Sequence, residues 1–316
     1  MPVIFQEPWP GRREPLSKGA VELIGYVVAA AGADTMLRRG FLAQGLGSAL
    51  LGASGPFASA EPAAKSSGPS KGALLIIGGG SQGAEIGRAG REQSGGDAGR
   101  WVYIPTAAEN VSDVTSPNNL AGWHATMTRL HTWDRKVADS EAFVAPLRSA
   151  TAVYFEGGRQ WRLVDVYGGT RTEDELRAVL DRGGLIAGTS AGATIQGSYL
   201  VRGSPAGSGT MMSPGHERGF GYVRNAAIDQ HVLARGRAAD MARVVAAHPG
   251  LLGIGIDEGT AALVQQNILT VIGRSVILIT DGAIHDGKPY YALTAGTRFD
   301  LASWTVLPAK PERAGG

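Results

Sequence analysis

Short, continuously apolar runs alternate with amphipathic stretches from residue 72 onward. Runs without polar alternation are typical of strands buried on both faces, and the candidates are Leu74–Ile77, Trp101–Ile104, Ala152–Phe155 and Leu185–Ala187. Helix candidates lie between these runs, at Pro117–Leu130, Glu141–Ala150 and Glu173–Arg182. This alternation predicts an α/β fold, with a three-layer, open and mostly parallel sheet that carries helices on both faces.

The stretch over Glu173–Arg182 carries the clearest helix signals. Thr172 and Glu175 have the spacing of a capping box, and two glycines follow the last turn. Nearer the C-terminus the pattern changes to short alternating runs, at Ala261–Val264, Ile268–Ile272 and Ser275–Ile279. These runs predict antiparallel strands, so we expect a C-terminal antiparallel hairpin.

The composition favours one globular domain, which we place at residues 72–310, with a linker over 61–71 and a tail over 311–316. Apolar residues make up 43% of the 316 positions, and a net charge of +2 gives no indication of a nucleic-acid partner. The absence of cysteine excludes a thiol nucleophile, a cysteine-ligated zinc and disulfides. No apolar run approaches the roughly 20 residues of a membrane span. A homodimer is compatible with these features.

Residues 36–60 have the organisation of an export signal. A basic pair, Arg38-Arg39, precedes a short apolar centre and a small-residue end at Ala58–Ala60. The basic pair also resembles the twin-arginine export motif, so we expect a periplasmic or extracellular protein. Residues 1–35 are then a disordered or non-native extension before the true start. An ordinary amphipathic helix over the signal region is the alternative.

The first strand candidate runs into a glycine-rich loop, Gly78–Gly83, which has the form G-x-G-x-x-G. In a dinucleotide-binding unit, an acidic residue at the end of the next strand joins this loop. Here the next strand candidate ends in Pro105-Thr106, without a carboxylate. We therefore prefer a tight loop at the carboxyl edge of the sheet, and keep a nucleotide-dependent enzyme as an alternative hypothesis.

A second glycine motif surrounds Ser190. The strand candidate Leu185–Ala187 leads into Gly188-Thr189-Ser190-Ala191-Gly192, which is G-x-S-x-G before a helix-compatible stretch. This is the sequence of a nucleophile elbow, where small neighbours permit a tight turn that exposes the hydroxyl. The start of the following helix favours a developing negative charge, so the Ala191 amide is placed to donate to an oxyanion. A glycine-rich turn with a buried serine is the alternative.

A nucleophilic serine needs a base. Among the six histidines, His231 follows the apolar run that ends at Ile228, while His216, in a Pro-Gly loop, is the rival. No two histidines have the helical spacing typical of metal ligands, so we expect no metal site. We expect no cofactor either, because serine and histidine chemistry does not require one.

Three motifs occur in order along the chain: Phe155–Gln160, Gly188–Gly192 and Asp229–His231. Together they resemble cyanophycinase and its relatives, the serine peptidases that include aspartyl dipeptidase (peptidase family S51). Leu75–Gly80, Gly255–Thr260 and Val271–Gly273 also match, so the resemblance covers about residues 72–285. The resemblance implies a fold like that of class I glutamine amidotransferases, with serine in place of the usual cysteine.

The resemblance also implies roles for individual residues. Ser190 is the expected nucleophile, His231 the general base, and the amides of Gly158 and Ala191 the oxyanion hole. Substrate contacts are expected from Gln160, Asp229, Gln230, Arg235 and Arg237. Asp229 is expected to hold a substrate guanidinium or ammonium group, and the two arginines to hold substrate carboxylates bidentately. A solvated basic helix face is the alternative for the arginines.

The chain departs from the family pattern at two places. Arg159 stands where the family motif Gly-Gly-Asp-Gln has its aspartate, which reverses the charge at the pocket edge. The orienting acid is expected about eighteen residues after the serine, where this chain has Ser208. Glu217 is therefore our first candidate to orient His231, with Asp229, a backbone carbonyl or water as alternatives.

These observations predict an exported serine peptidase that hydrolyses amide bonds next to aspartyl residues. In cyanophycinases the substrate is a poly-aspartate with arginine on each side chain, and the product is β-aspartyl-arginine. Related aspartyl or isoaspartyl dipeptides are the alternative substrates. A non-catalytic peptide-binding protein on the same scaffold is the alternative function.

Overall fold

The computed structural model of the chain describes residues 66–111 and 126–308. Several predicted segments therefore lie outside the described residues: the extension 1–35, the export signal 36–60, the first part of the linker and the tail 311–316. The last part of the predicted linker is packed on the domain. Ser66 is buried, and the backbone of Ser67 exchanges hydrogen bonds with that of Arg224. Residues 66 and 67 thus belong to the fold rather than to a linker.

A nine-stranded sheet forms the centre of the described domain. Its parallel strands are β1 (Ala73–Ile77), β2 (Arg100–Ile104), β3 (Thr126–Arg129), β4 (Ala152–Phe155) and β5 (Leu185–Thr189). They are arranged in the order β1-β5-β4-β2-β3. Successive residues of β1 enter different cores, Leu74 and Ile76 on one face, Leu75 and Ile77 on the other. Both faces of the sheet are therefore covered, as the continuously apolar runs predicted.

A second sheet of five strands packs beside the first and was not predicted. Its strands are β6 (Gly197–Tyr199), β7 (Val223–Gln230), β8 (Leu252–Ile256), β11 (Val276–Thr280) and β12 (Tyr291–Thr294). They follow the order β12-β11-β8-β7-β6, with β7 and β8 parallel. The carboxyl ends of β7 and β8 are thus neighbours. The residues that follow them hydrogen-bond to the glycine loop after β1, through Gly78 and Gly79.

The predicted C-terminal hairpin is β9 (Thr260–Gln265) with β10 (Ile268–Gly273), and it extends the first sheet antiparallel to β1. β13 (Arg298–Asp300) and β14 (Thr305–Leu307) complete that edge. The third predicted strand of this region forms as β11, but it pairs with β8 in the second sheet. The alternation of apolar and polar residues predicts a strand but not the strand it pairs with, so the sequence pattern did not show which sheet β11 joins.

The helices of the described chain are α1 (Ala84–Gln93), α2 (Arg135–Ala138), α3 (Glu141–Ser149), α4 (Gln160–Tyr167), α5 (Arg171–Asp181), α6 (Ala191–Thr194) and α7 (Met241–Ala247). The helices predicted at residues 141–150 and 173–182 are confirmed as α3 and α5. Within the described residues, no helix has the length and hydropathy of a membrane span.

Two details of the helix predictions were wrong. The end of the predicted helix at Pro117–Leu130 is strand β3, because parallel pairing with β2 decides its conformation; residues 112–125 lie outside the described residues. The capping box of α5 does not form. The hydroxyl of Thr172 donates to the carbonyl of Ala138, and Glu175 accepts from Arg148, so both side chains serve tertiary contacts.

Candidate active site

Ser190 lies in the tight turn between β5 and α6. Its backbone has φ 52° and ψ −110°, a conformation that is rare for a residue with a side chain. The flanking glycines permit this turn, because a Cβ on Gly188 would lie 2.3 Å from the carbonyl oxygen of Gly192. The nucleophile-elbow geometry predicted for G-x-S-x-G is therefore present at Ser190.

His231 follows directly after β7 and reaches across to Ser190. Its Nε2 lies 2.9 Å from the Ser190 Oγ, and its side chain is only 8% exposed. The two residues come from different sheets, and α6 packs against both β5 and β7. The second sheet thus supplies the predicted base to a serine carried by the first sheet.

Glu258, rather than Glu217, is the carboxylate that contacts His231. The imidazole Nδ1 lies 2.5 Å from Glu258 Oε1. With Nδ1–H donating to this carboxylate, Nε2 is left to accept the serine proton. Because β7 and β8 are parallel neighbours, with Gln230 opposite Ile256, the residues that follow them leave the same edge of the sheet.

The expected orienting role of Glu217 is not met by the geometry. Its Oε1 accepts a hydrogen bond from the Tyr199 hydroxyl at 2.8 Å. The rival base, His216, lies near Asp165, with 3.7 Å between Nε2 and Oδ1. The sequence prediction considered only acidic residues between Ser190 and His231. It therefore missed Glu258, which follows strand β8. The available signal was the stretch Gly255–Thr260, in which two acids follow an apolar strand.

The electrostatics of His231 favour a neutral imidazole. Burial lowers the pKa of His231 below its ordinary value, and the nearby cations Arg235 and Arg237 lower it further. The hydrogen bond with Glu258 raises the pKa and so opposes part of this shift. A neutral imidazole can accept a proton, which is the state that a general base requires.

The glycine-rich loop after β1 supports this histidine and glutamate. A Cβ on Gly79 would lie 2.1 Å from His231 Cε1, and one on Gly80 would lie 2.7 Å from Glu258 Oε2. The His231 amide donates to Gly78 O at 3.0 Å, and the Gly259 amide donates to Gly79 O at 2.9 Å. These contacts explain why glycine is needed at these positions without a bound nucleotide.

The oxyanion-hole prediction names two backbone amides near Ser190 in the fold, those of Gly158 and Ala191. Gly157 adjoins the serine, since a Cβ there would lie 3.3 Å from Ser190 Cβ, and Gly158 follows with φ 137°. Within the described chain, neither the Gly158 amide nor the Ala191 amide donates to another protein group. Free amides of this kind are suited to a developing oxyanion.

Glu156 accepts a hydrogen bond on each carboxylate oxygen beside this turn. Its Oε2 accepts from the Tyr103 hydroxyl at 2.9 Å, and its Oε1 accepts from the Gly157 amide at 2.9 Å. Arg159, on the other side of the glycines, donates to Ser204 O at 3.4 Å. Glu156 and Arg159 therefore flank the glycines with opposite charges.

The predicted substrate contacts Gln160 and Asp229 instead bond to the protein. Asp229 is 1% exposed and forms a bidentate ion pair with the buried Arg202. Gln160 donates through Nε2 to the carbonyls of Val201 and Arg202. Asp229 was predicted to bind a substrate guanidinium, and this prediction is contradicted because the guanidinium of Arg202 is already bound to it. Sequence reasoning missed Arg202, which carries no motif.

The remaining predicted contacts retain unused hydrogen-bonding groups. Gln230 is buried, and its Oε1 has no hydrogen-bond partner among the described residues. Arg235 is exposed, and Arg237 Nη1 lies 4.0 Å from Asp229 Oδ1, beyond hydrogen-bond distance. In the described part of the chain, no group of three or more acidic or histidine side chains has the arrangement of a metal site.

Some known proteins are similar to this chain in sequence, and another is similar in fold. The cyanophycinases of Nostoc sp. and Trichormus variabilis are each 33% identical over 199 residues, covering 56% of this chain. The chain matches 65% of the length of each of these relatives, slightly less than two-thirds. A peptidase from an acI-B1 actinobacterium has a similar fold, with a TM-score of 0.55 at 22% identity, over 73% of this chain and 97% of that one.

The model of peptidase family S51 matches residues 74–272. This range includes the serine turn, the histidine after β7 and the glutamate after β8. The match covers more than half of the sequence, so the chain belongs to peptidase family S51.

Proposed function

We propose that this protein is a serine peptidase that hydrolyses amide bonds next to aspartyl residues. The observation that carries the proposal is the continuous hydrogen-bonded line from Ser190 Oγ through His231 to Glu258. Membership in a peptidase family and similarity to cyanophycinases support the same reaction class. The substrate class is cyanophycin, which yields β-aspartyl-arginine, or a smaller aspartyl or isoaspartyl peptide.

In the proposed reaction, Ser190 Oγ attacks the scissile carbonyl carbon while His231 Nε2 takes the hydroxyl proton. The carbonyl oxygen becomes an oxyanion, which the amides of Gly158 and Ala191 stabilise. Collapse of this intermediate breaks the C–N bond, and His231 gives its proton to the leaving amine. Water, deprotonated by the same imidazole, then attacks the acyl-enzyme and releases the acid and the free serine. Glu258 holds the imidazole in the required tautomer throughout.

Arg235 and Arg237 are the proposed contacts for substrate carboxylates. Both lie close enough to His231 to lower its pKa. Arg237 Nη1 has no hydrogen-bond partner among the described residues, and Arg235 is exposed. Arginine forks bind carboxylates bidentately, which would fix an aspartyl group beside the nucleophile. Gln230 Oε1 is a free acceptor for a substrate N–H in the same region.

An activated Ser190 should react covalently with a fluorophosphonate probe. We expect wild type to be labelled at Ser190, a Ser190→Ala variant to be unlabelled and inactive while keeping its melting temperature, and a Ser208→Ala control to behave as wild type. Peptide mass spectrometry of the labelled protein checks the site. A wild-type protein without label would instead support a non-catalytic binding protein on this scaffold.

The identity of the orienting acid can be tested with two matched variants. A Glu258→Gln variant should lose about four decades of kcat, because the amide no longer selects the correct histidine tautomer. A Glu217→Gln variant should retain kcat within about twofold, because its carboxylate bonds to Tyr199 and not to His231. Steady-state kinetics on an aspartyl peptide measures both. Equal losses in the two variants would contradict the assignment of Glu258.

Activity should fall on acidification as His231 becomes protonated. Because burial lowers the pKa of His231, the acid limb of kcat/KM should lie below the ordinary histidine value of about 6.5. Removal of the Glu258 charge removes a contribution that raises this pKa, so the residual activity of Glu258→Gln should have its acid limb at still lower pH. A pH profile of both proteins measures the shift, and an upward shift in the variant would refute this electrostatic account.

Gly79→Ala should damage the site more than a glycine substitution elsewhere with similar backbone geometry. Gly79 has φ 109° and faces the imidazole, whereas Gly95 has φ 98° and open space around its Cβ position. We expect Gly79→Ala to lower kcat/KM by about 100-fold, since small displacements of catalytic groups cost this much. Gly95→Ala should lower only the melting temperature. Similar kcat/KM values for the two variants would show that the close contact with His231 is unimportant.

A further inference from the structure

We propose that Arg202 determines specificity by forming a bidentate ion pair with Asp229, which makes this carboxylate unavailable to a substrate. The active site then selects substrates that carry a carboxylate rather than a guanidinium beside the scissile amide. This inference rests on the proposed peptidase function and names its substrate class: acidic aspartyl dipeptides rather than arginine-bearing polymer.

The Arg202 guanidinium is almost completely satisfied from within the protein. Nε lies 2.9 Å from Asp229 Oδ1, and Nη2 lies 2.9 Å from Oδ2 of the same carboxylate. Nη2 also donates to Asp240 Oδ2 at 2.7 Å, and Nη1 donates to Ser208 O at 2.9 Å. Arg202 and Asp229 are 3% and 1% exposed, so a substrate cation has no access to this carboxylate without displacing Arg202.

The backbone around Arg202 is built to direct this side chain inward. Arg202 has φ 55°, a left-handed conformation that is uncommon for a residue with a Cβ. Its carbonyl accepts a hydrogen bond from Gln160 at 3.0 Å, and its amide donates to Met211 O at 2.9 Å. Two residues predicted to contact substrate, Gln160 and Asp229, therefore both hold Arg202. An arrangement fixed from several sides is expected to persist during catalysis.

The carboxylates near His231 and near the Ser190 turn are also engaged by protein groups. Glu258 bonds to the imidazole, and Asp257 accepts from the amides of Leu233 and Ala234 and from the Ser275 hydroxyl. Glu156 accepts from the Tyr103 hydroxyl and from a backbone amide. Each of these carboxylates thus already has a partner within the protein.

The cations near His231 remain available in comparison. Arg237 Nη1 is buried and has no hydrogen-bond partner within the described residues, and Arg235 is exposed. A buried guanidinium donor without an acceptor is unfavourable until an anion binds to it. Apart from the neutral acceptor Gln230 Oε1, the groups left for substrate recognition are therefore cationic donors, which match a carboxylate and repel a guanidinium.

A competition experiment with matched dipeptides tests this inference. β-Aspartyl-arginine, β-aspartyl-citrulline and β-aspartyl-glutamate differ only at the second side chain, and citrulline is a neutral counterpart of arginine. Each is used to slow fluorophosphonate labelling of Ser190 in the full-length protein. For wild type, we expect the glutamate dipeptide to protect about tenfold better than the citrulline dipeptide, and the arginine dipeptide to protect no better than citrulline.

Two variants ask whether Arg202 causes this selectivity. Arg202→Met removes the bidentate partner of Asp229 and leaves, among the described residues, only the Gln230 amide on Oδ1, with Arg237 Nη1 4.0 Å away. The arginine dipeptide should then protect at least about tenfold better than citrulline. Arg202→Met combined with Asp229→Asn removes the unpaired buried charge, and this double variant should fold and show no arginine preference. Should the single variant fail to fold, the wild-type comparison still decides, because it needs no substitution.

The outcomes separate this inference from the proposed function. Absence of Ser190 labelling in wild type would contradict the peptidase function itself. Normal labelling together with tenfold better protection by the arginine dipeptide than by citrulline would overturn only the role of Arg202. Normal labelling that none of the three dipeptides slows would also overturn it.

Discussion

The hydrogen-bonded line Ser190–His231–Glu258 is the constraint on which the rest of the structure depends. Its three members follow β5, β7 and β8, which belong to two different sheets. These three side chains can meet only if the ends of β5, β7 and β8 lie close together. The glycines after β1 leave room for His231 and Glu258, because a Cβ at Gly79 or Gly80 would collide with them. One geometric requirement therefore explains three features, namely the triple glycine, the unusual backbone of Ser190 and the second sheet: each helps to bring Ser190, His231 and Glu258 within hydrogen-bond distance.

Much of the first sheet could be predicted from sequence, because its strands are short and apolar without alternation. Ser190 could be predicted as well, since its motif directly follows a recognisable strand, whereas the resemblance to the family was needed to choose His231 over its rival His216. Glu258 could not be chosen, because its contact with His231 arises from parallel pairing of β7 with β8. Sequence patterns give the period of a strand but not its neighbours, so a residue that depends on sheet order is hidden from them.

Arg202 illustrates a different limit of sequence reasoning. Asp229 was expected to bind a substrate cation because of its place in the family motif, yet the protein supplies that cation itself. A buried carboxylate needs a partner, and a partner twenty-seven residues away in a loop has no sequence signature. A family motif thus does not show whether a carboxylate within it is already paired inside the protein.

The most direct measurement of the central line is proton NMR of the protein in water at low temperature. A histidine Nδ1–H bonded to a carboxylate gives a far-downfield, slowly exchanging resonance. We expect one such resonance from His231 in the wild-type protein, its persistence in Glu217→Gln and its disappearance in Glu258→Gln. A spectrum in which Glu258→Gln keeps the resonance, or in which Glu217→Gln loses it, would contradict the account.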